Sequence, residues 1–150
     1  MDSIRSAVVV DRAEWVRRML HRIGELPLTS LDEFRADPRN VAAAESYLRR
    51  ALEALLDLGR HILAKGFGEY VSSYKDIAVK LGEVGVLPGP EAAIARQLAG
   101  YRNRLVHFYH EIGEEELFEI CSSKVEDVEK VLNGMLDWLR TNRDKVDWGK

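Results

Sequence analysis

The residues best equipped for chemistry lie in one short stretch, positions 101–110. Arg102, Asn103, Arg104, His107, Tyr109 and His110 sit among apolar residues at helical spacing, Leu98, Tyr101, Leu105, Phe108 and Ile112. Histidine titrates near neutral pH and can take a proton from a reacting group. Arginine can hold phosphate oxygens and stabilise added negative charge. Together these types suit cleavage of RNA. His107 would accept the proton of a 2′-hydroxyl, the alkoxide would attack the adjacent phosphorus, and Arg102 would hold the nonbridging oxygens. Asn103 would orient His107 or contact phosphate. A second histidine, supplied by another subunit, would protonate the leaving oxygen. That route needs no metal and leaves a 2′,3′-cyclic phosphate.

The spacing qualifies this reading. Arg102 and His107 are five positions apart, roughly 140° around a straight helix, so they do not share one narrow face. A helix bend, the reach of the long arginine, or a symmetry-related chain would each bring them together. Asn103 lies four before His107 and shares its face. Arg102 and Tyr109, seven apart, differ by only about 20°. A solvated interaction face fits the same residues. In that case Arg104 pairs with a carboxylate of the acidic stretch at Glu111 and Glu114–Glu116, His110 sits near a helix C-terminus where positive charge is favoured, and Tyr109 lines an interface. On residue types alone both readings stand.

The elements that would position this stretch read as helices. A first amphipathic helix is expected over residues 3–24, with Val8, Trp15, Met19 and Ile23 inward, ended by Gly24 and Pro27. A short helical turn follows at residues 31–34. Asp37 as cap and Pro38 in the first turn open a long helix over 38–65, carrying the stripe Val41, Ala44, Leu48, Leu52, Leu55 and Ile62. Ser73 and Asp76 have capping-box spacing and open a short helix with Ile77, Ala78 and Leu81. After the boundary Leu87-Pro88-Gly89-Pro90, a helix containing residues 91–98 runs into the reactive stretch, with Gly113 breaking or bending it. A last helix is expected over 115–140, and the tail 141–150 is polar, with Trp148 able to dock back. No alternating segment is long enough to establish a sheet. The natural solution is a compact all-α bundle.

Composition narrows the classes. The chain has 150 residues, 46% hydrophobic and 31% charged, with net charge −3, which suits one soluble domain with one core. A broad nucleic-acid-coating surface is disfavoured, while a local basic cleft is not. Cys121 stands alone, so neither an internal disulfide nor a cysteine-rich zinc site can form. It reads as a small helical residue, and a reducing compartment fits best. The N-terminus lacks a signal-peptide layout and no run reaches membrane length. Glu53 and Asp57 share a helical face, with Glu45 further along. A solvated acidic side is favoured over a metal pair. His21 and His61 read as isolated structural or surface residues, Tyr47 as packing, and Trp15 and Trp138 as core or interface anchors.

Taken whole, Arg102-Asn103-Arg104-Leu105-Val106-His107-Phe108-Tyr109 resembles the R-x4-H-x-Y signature of HepT-like toxins in the HEPN superfamily. Residues 47–59 resemble that family's long second helix, and the segments at 73–78 and 85–88 fit its intervening short helix and loop. The similarity covers about residues 5–140. It implies an all-α HEPN-type bundle of up-down helices with a short additional helix, a domain over 1–140 followed by the tail 141–150, and a cytoplasmic homodimer. The cleft between paired motifs would then resolve the angular problem noted above. By the same resemblance Arg102 and His107 carry metal-independent endoribonuclease activity in a type VII-like toxin–antitoxin system. Asn103 supports them, and Arg104 and His110 are candidate RNA contacts. Tyr109 matches the tyrosine that a separate minimal nucleotidyltransferase antitoxin modifies with AMP. No cofactor is implied. The alternative is a noncatalytic helical interaction subunit that binds the nucleotidyltransferase partner.

Overall fold

The computed structural model describes residues 3–106 and 112–148. Seven α-helices follow one another: α1 (Ser6–Gly24), α2 (Leu31–Arg35), α3 (Pro38–Phe67), α4 (Tyr74–Glu83), α5 (Gly89–Leu105), α6 (Glu114–Ser123) and α7 (Val125–Thr141), with a 3-10 turn at Arg143–Lys145. No β-strand occurs among the described residues, so the expected all-α architecture is what forms.

Local chemistry sets the helix starts. Asp37 accepts the Arg39 N–H (2.9 Å) and Pro38 occupies the first turn of α3, as the Asp-Pro pair predicts. Ser30 caps α2 through the Glu33 N–H, and Ser73 caps α4 through the Asp76 N–H, each at 3.1 Å. At the far end of α3, Gly68 adopts φ 66°. This left-handed closure is open to glycine at little cost.

α3 is the spine. It buries Ala44, Leu48, Ala51, Leu52, Leu55, Leu58, Ile62 and Leu63, each large aliphatic side chain contributing about 1.5–3 kcal/mol of burial. α1 packs along it, α4 pairs with α5, and α5 also meets α3 and α7. α6 covers α2 and α3, where Phe118 and Phe34 lie 5.8 Å apart.

The expectations for α1 and for the last helix need correction. α1 begins at Ser6, not Ser3, and its buried face is Val9, Ala13, Val16, Met19, Leu20 and Ile23. Val8 and Trp15 are only half-buried; Trp15 lies under the Arg18 guanidinium, 5.5 Å from its ring centre. Ile4 precedes the helix in extended backbone and pairs with Val146. Its N–H reaches Lys145 O (2.8 Å) and its carbonyl accepts from Asp147 N–H (3.0 Å). The Asp147 carboxylate then accepts the Ser6 N–H (2.7 Å), an N-terminal cap delivered from the other end of the chain. That hydrogen bond is the main reason the Asp147 carboxyl sits below its usual range. The polar tail is therefore docked as far as Trp148, which lies under Arg143.

The expected last helix is two. Lys124 ends α6 and starts α7, with φ −106° and ψ −1°. The apolar repeat runs through this point: Leu117 and Val128 are eleven apart, roughly 20° on a continuous helix. The break lets Leu117, Ile120 and Cys121 cover α2 and α3 while Val128, Val131, Leu132, Met135 and Leu139 run along α3 and α5. The described part of α5 ends at Leu105 with Val106 as C-cap, its N–H bonding to the carbonyls of Arg102 and Arg104; the expected run on to Gly113 passes through residues 107–111, outside the described residues. Ile112, expected on its stripe, is buried but not helical.

Candidate active site

The last turn of α5 presents Arg102, Asn103 and Arg104, where basic side chains also complement the negative end of the helix dipole. His107, Tyr109 and His110 lie outside the described residues. The expected angular relation between Arg102 and His107 therefore falls outside the described residues as well.

Arg102 is embedded in a cluster drawn from three helices. Its Nε donates to Glu53 Oε2 on α3 at 3.0 Å, and its Nη2 lies 2.9 Å from the same oxygen. Its Nη1 donates to Asn103 Oδ1 at 3.4 Å. Its guanidinium carbon stacks 4.5 Å from the ring centre of Tyr74, the first residue of α4. Arg60 takes the same ring at 5.1 Å, so Tyr74 carries two cations on its π system. Asp57, one turn after Glu53 on α3, accepts from Arg60 Nη1 (2.5 Å) and from the Tyr74 hydroxyl (3.0 Å). Arg49 closes the far side by donating to Glu53 Oε1 (3.0 Å).

The electrostatics follow. Three guanidiniums face two carboxylates, an excess of one positive charge, and the Arg102 guanidinium has five N–H donors, more than it turns to Glu53 and Asn103. This is a braced cation able to take an anion such as a phosphate oxygen. Tyr74 is unsuited to proton abstraction. Burial, together with the Asp57 charge that its hydroxyl faces, pushes the phenol above its usual range and keeps the proton on it.

The other candidates have different surroundings. Arg104 makes a two-pronged pair with Glu116 on α6, Nη2 to Oε1 at 2.6 Å and Nη1 to Oε2 at 2.8 Å. Those hydrogen bonds hold the Glu116 carboxyl below its usual range. Asn103 is exposed beside Arg102. His61 accepts the Arg5 N–H through Nε2 (3.0 Å), and burial is the first cause lowering its pKa, which fits the expected structural role. His21 is exposed beside Glu25. Cys121 is buried and its thiol is pushed up to about 12 by burial, as befits a packing residue. Trp138 packs on Phe67 and Tyr47 lies under Arg22.

Glu53 and Asp57, expected on a solvated acidic side, are each partly buried and ion-paired. Their i, i+4 spacing and the helical partners Arg49 and Arg60 are visible in the sequence; the distant partners Arg102 and Tyr74 are not. Tyr74 gave no signal, since one aromatic after a helix cap belongs to no periodic pattern.

Residues 13–135 match the profile of the family described as ribonuclease HepT-like. The tRNA nuclease HepT of Aphanizomenon flos-aquae is 26% identical over 151 residues, covering 98% of this chain and all of that protein. Among solved structures, a tri-AMPylated Shewanella oneidensis HEPN toxin in complex with MNT antitoxin superposes with TM-score 0.77 at 20% identity, over 87% of this chain and 97% of that one. The Bacillus subtilis cytosolic protein YutE, of unknown function, superposes with TM-score 0.77 at 19% identity over 94% of both chains. At such identities the structural likeness establishes the fold. No described helix is long and apolar enough to cross a membrane. With most of its length matching the family profile, this chain belongs to the HepT-like ribonuclease family.

Proposed function

We propose that this protein is a metal-independent endoribonuclease toxin, acting as a cytoplasmic homodimer in which Arg102 and His107 of the two protomers share one cleft. The observation that carries the reading is the bracing of Arg102 by Glu53 and Tyr74, five residues before His107, in a member of a ribonuclease family. His107 takes the 2′-hydroxyl proton as the oxygen attacks phosphorus. Arg102 holds the nonbridging oxygens as charge builds there. The His107 of the other protomer returns a proton to the departing 5′-oxygen, so the strand ends in a 2′,3′-cyclic phosphate. Asn103 supports Arg102, while Arg104 and His110 are secondary RNA contacts. The tRNA nuclease named among the relatives supports transfer RNA as the first substrate to try.

A minimal nucleotidyltransferase antitoxin is the proposed partner, as the solved HEPN toxin in complex with MNT antitoxin suggests. It would add AMP to Tyr109, placing negative phosphate and a bulky adenosine where RNA phosphate must bind. Mass spectrometry after incubation with that enzyme and ATP should find AMP on Tyr109, and Tyr109→Phe should stay unmodified. For catalysis, tRNA cleavage should persist in excess chelator and be lost in folded Arg102→Ala and His107→Ala proteins. A folded wild-type protein that binds the nucleotidyltransferase but cuts no RNA would instead be a noncatalytic interaction subunit.

A further inference from the structure

The turn after α3 extends the Arg102 cluster outward. Tyr70 is 84% exposed, yet the backbone around it is tied on both sides. Before it, Gly68 N–H and Glu69 N–H return to the carbonyls of Ala64 (3.2 Å) and Leu63 (3.0 Å). After it, Arg60 donates to the carbonyls of Val71 (3.4 Å) and Ser72 (2.9 Å). Arg60, Ala64, Tyr70, Val71 and Ser72 wall an open concavity of about 310 Å³. Arg60 is the link to the site, because Tyr74 carries both Arg60 and Arg102. Laid end to end, those two ring distances put the guanidiniums at most about 10 Å apart. That is no more than about three nucleotides at the roughly 3.4 Å rise of a stacked strand.

We propose that this concavity receives an unpaired nucleobase of the RNA strand whose phosphate Arg102 holds, stacked on Tyr70. The inference rests on the ribonuclease reading above. Single-stranded RNA is taken up by stacking splayed bases on aromatic rings beside a cationic backbone path. Here the ring is already in solvent, its backbone is prepaid in order by the hydrogen bonds of Gly68, Glu69 and Arg60, and the apolar walls of Ala64 and Val71 suit a base. The neighbouring Arg102 argues for a nucleic acid over a protein segment, since Arg60 at the wall is itself paired with Asp57: an apolar side chain of a partner would gain nothing from the Arg102 cation, whereas a base arrives with its phosphate. Stacking of this kind tolerates any base, so the pocket adds affinity and register and does not select a sequence.

The test is the affinity of the full-length protein for a twelve-nucleotide single-stranded RNA carrying 2′-O-methyl riboses, which blocks the attacking oxygen. An abasic strand of the same length and charge is the control. Tyr70→Ala should weaken binding of the RNA about tenfold, Tyr70→Trp should restore it, and the abasic strand should bind wild type and Tyr70→Ala alike. RNA affinity indifferent to Tyr70→Ala, or an equal loss on the abasic strand, overturns the base pocket while leaving the Arg102 site standing. A wild-type protein with no affinity for RNA overturns both. If Tyr70→Ala instead weakens only the nucleotidyltransferase complex, Tyr70 belongs to a protein interface and the base pocket is wrong.

Discussion

Replacing Glu53 with glutamine separates a positioned Arg102 from one that merely happens to be nearby. The pair is partly screened, its side chains 26% and 23% exposed. A charge-assisted hydrogen bond contributes about 1.5–3 kcal/mol net when shielded, and at this exposure about 1 kcal/mol is expected for stability. The catalytic effect has a different origin. Without the carboxylate, Arg102 keeps its stack on Tyr74 but regains rotamer freedom, and fixing one such side chain again costs about 0.5–1.5 kcal/mol. At 1.4 kcal/mol per tenfold, kcat should fall about two- to twelvefold. That is well short of the roughly hundred- to thousandfold expected from removing the oxyanion-stabilising group itself in Arg102→Ala. Removing a negative charge from beside the bound phosphate should leave KM unchanged or lower it. Steady-state cleavage of a defined RNA, with Glu53→Gln stability checked by denaturant titration, gives both parameters. An unchanged kcat with a raised KM would refute the reasoning, since Glu53 would then contribute to binding and not to the geometry of Arg102.

Three further outcomes follow from the packing. His61 has a lowered pKa because it is buried as a neutral acceptor for Arg5 N–H; the unfolded chain therefore binds more protons, and the stability it contributes is present above its unfolded pKa of about 6.5 and is lost as pH falls below that value. Denaturant titrations from pH 8 to pH 5 should show this loss in wild type and a flatter profile in His61→Gln. Cys121, its thiol pushed up to about 12, should resist iodoacetamide at pH 8 in the native protein and react once unfolded. Gly59→Ala would place a Cβ 2.8 Å from Leu81 Cδ1 and 3.1 Å from Ile77 Cγ2, where α4 lies close on α3. Overpacking of about 1–3 kcal/mol should outweigh the roughly 1 kcal/mol gained in helix propensity, lowering the denaturation midpoint.

What could be read before the structure was whatever is written locally. Asp37-Pro38 and Ser73 declare their helix starts through side chains that accept N–H groups two and three residues on, and the stripe of α3 declares its buried face. The Arg102–His107 motif likewise stands in contiguous residues. What could not be read depends on partners far along the chain. The break at Lys124 leaves the apolar repeat in phase, so only the competing surfaces of α2, α3 and α5 reveal it. The true face of α1 is turned by one position over its first half, Val9 for Val8 and Val16 for Trp15, a rotation that Trp15 disguises by being large and half-buried. Ile4 and Val146 pair across almost the whole sequence, and a lone isoleucine before a helix gives no warning of it. Glu53 and Tyr74 meet Arg102 only because α3, α4 and α5 converge. The candidate residue types are thus legible in one contiguous stretch, while the bracing of Arg102 is a property of packing.

The most direct measurement is the chemistry of the ends produced when purified protein cuts tRNA in excess chelator. Mass spectrometry should find a 2′,3′-cyclic phosphate on one fragment and a 5′-hydroxyl on the other, with neither formed by folded Arg102→Ala or His107→Ala. Fragments ending in a 5′-phosphate and 3′-hydroxyl, or cleavage that survives both substitutions, would contradict an Arg102–His107 site acting through the 2′-hydroxyl.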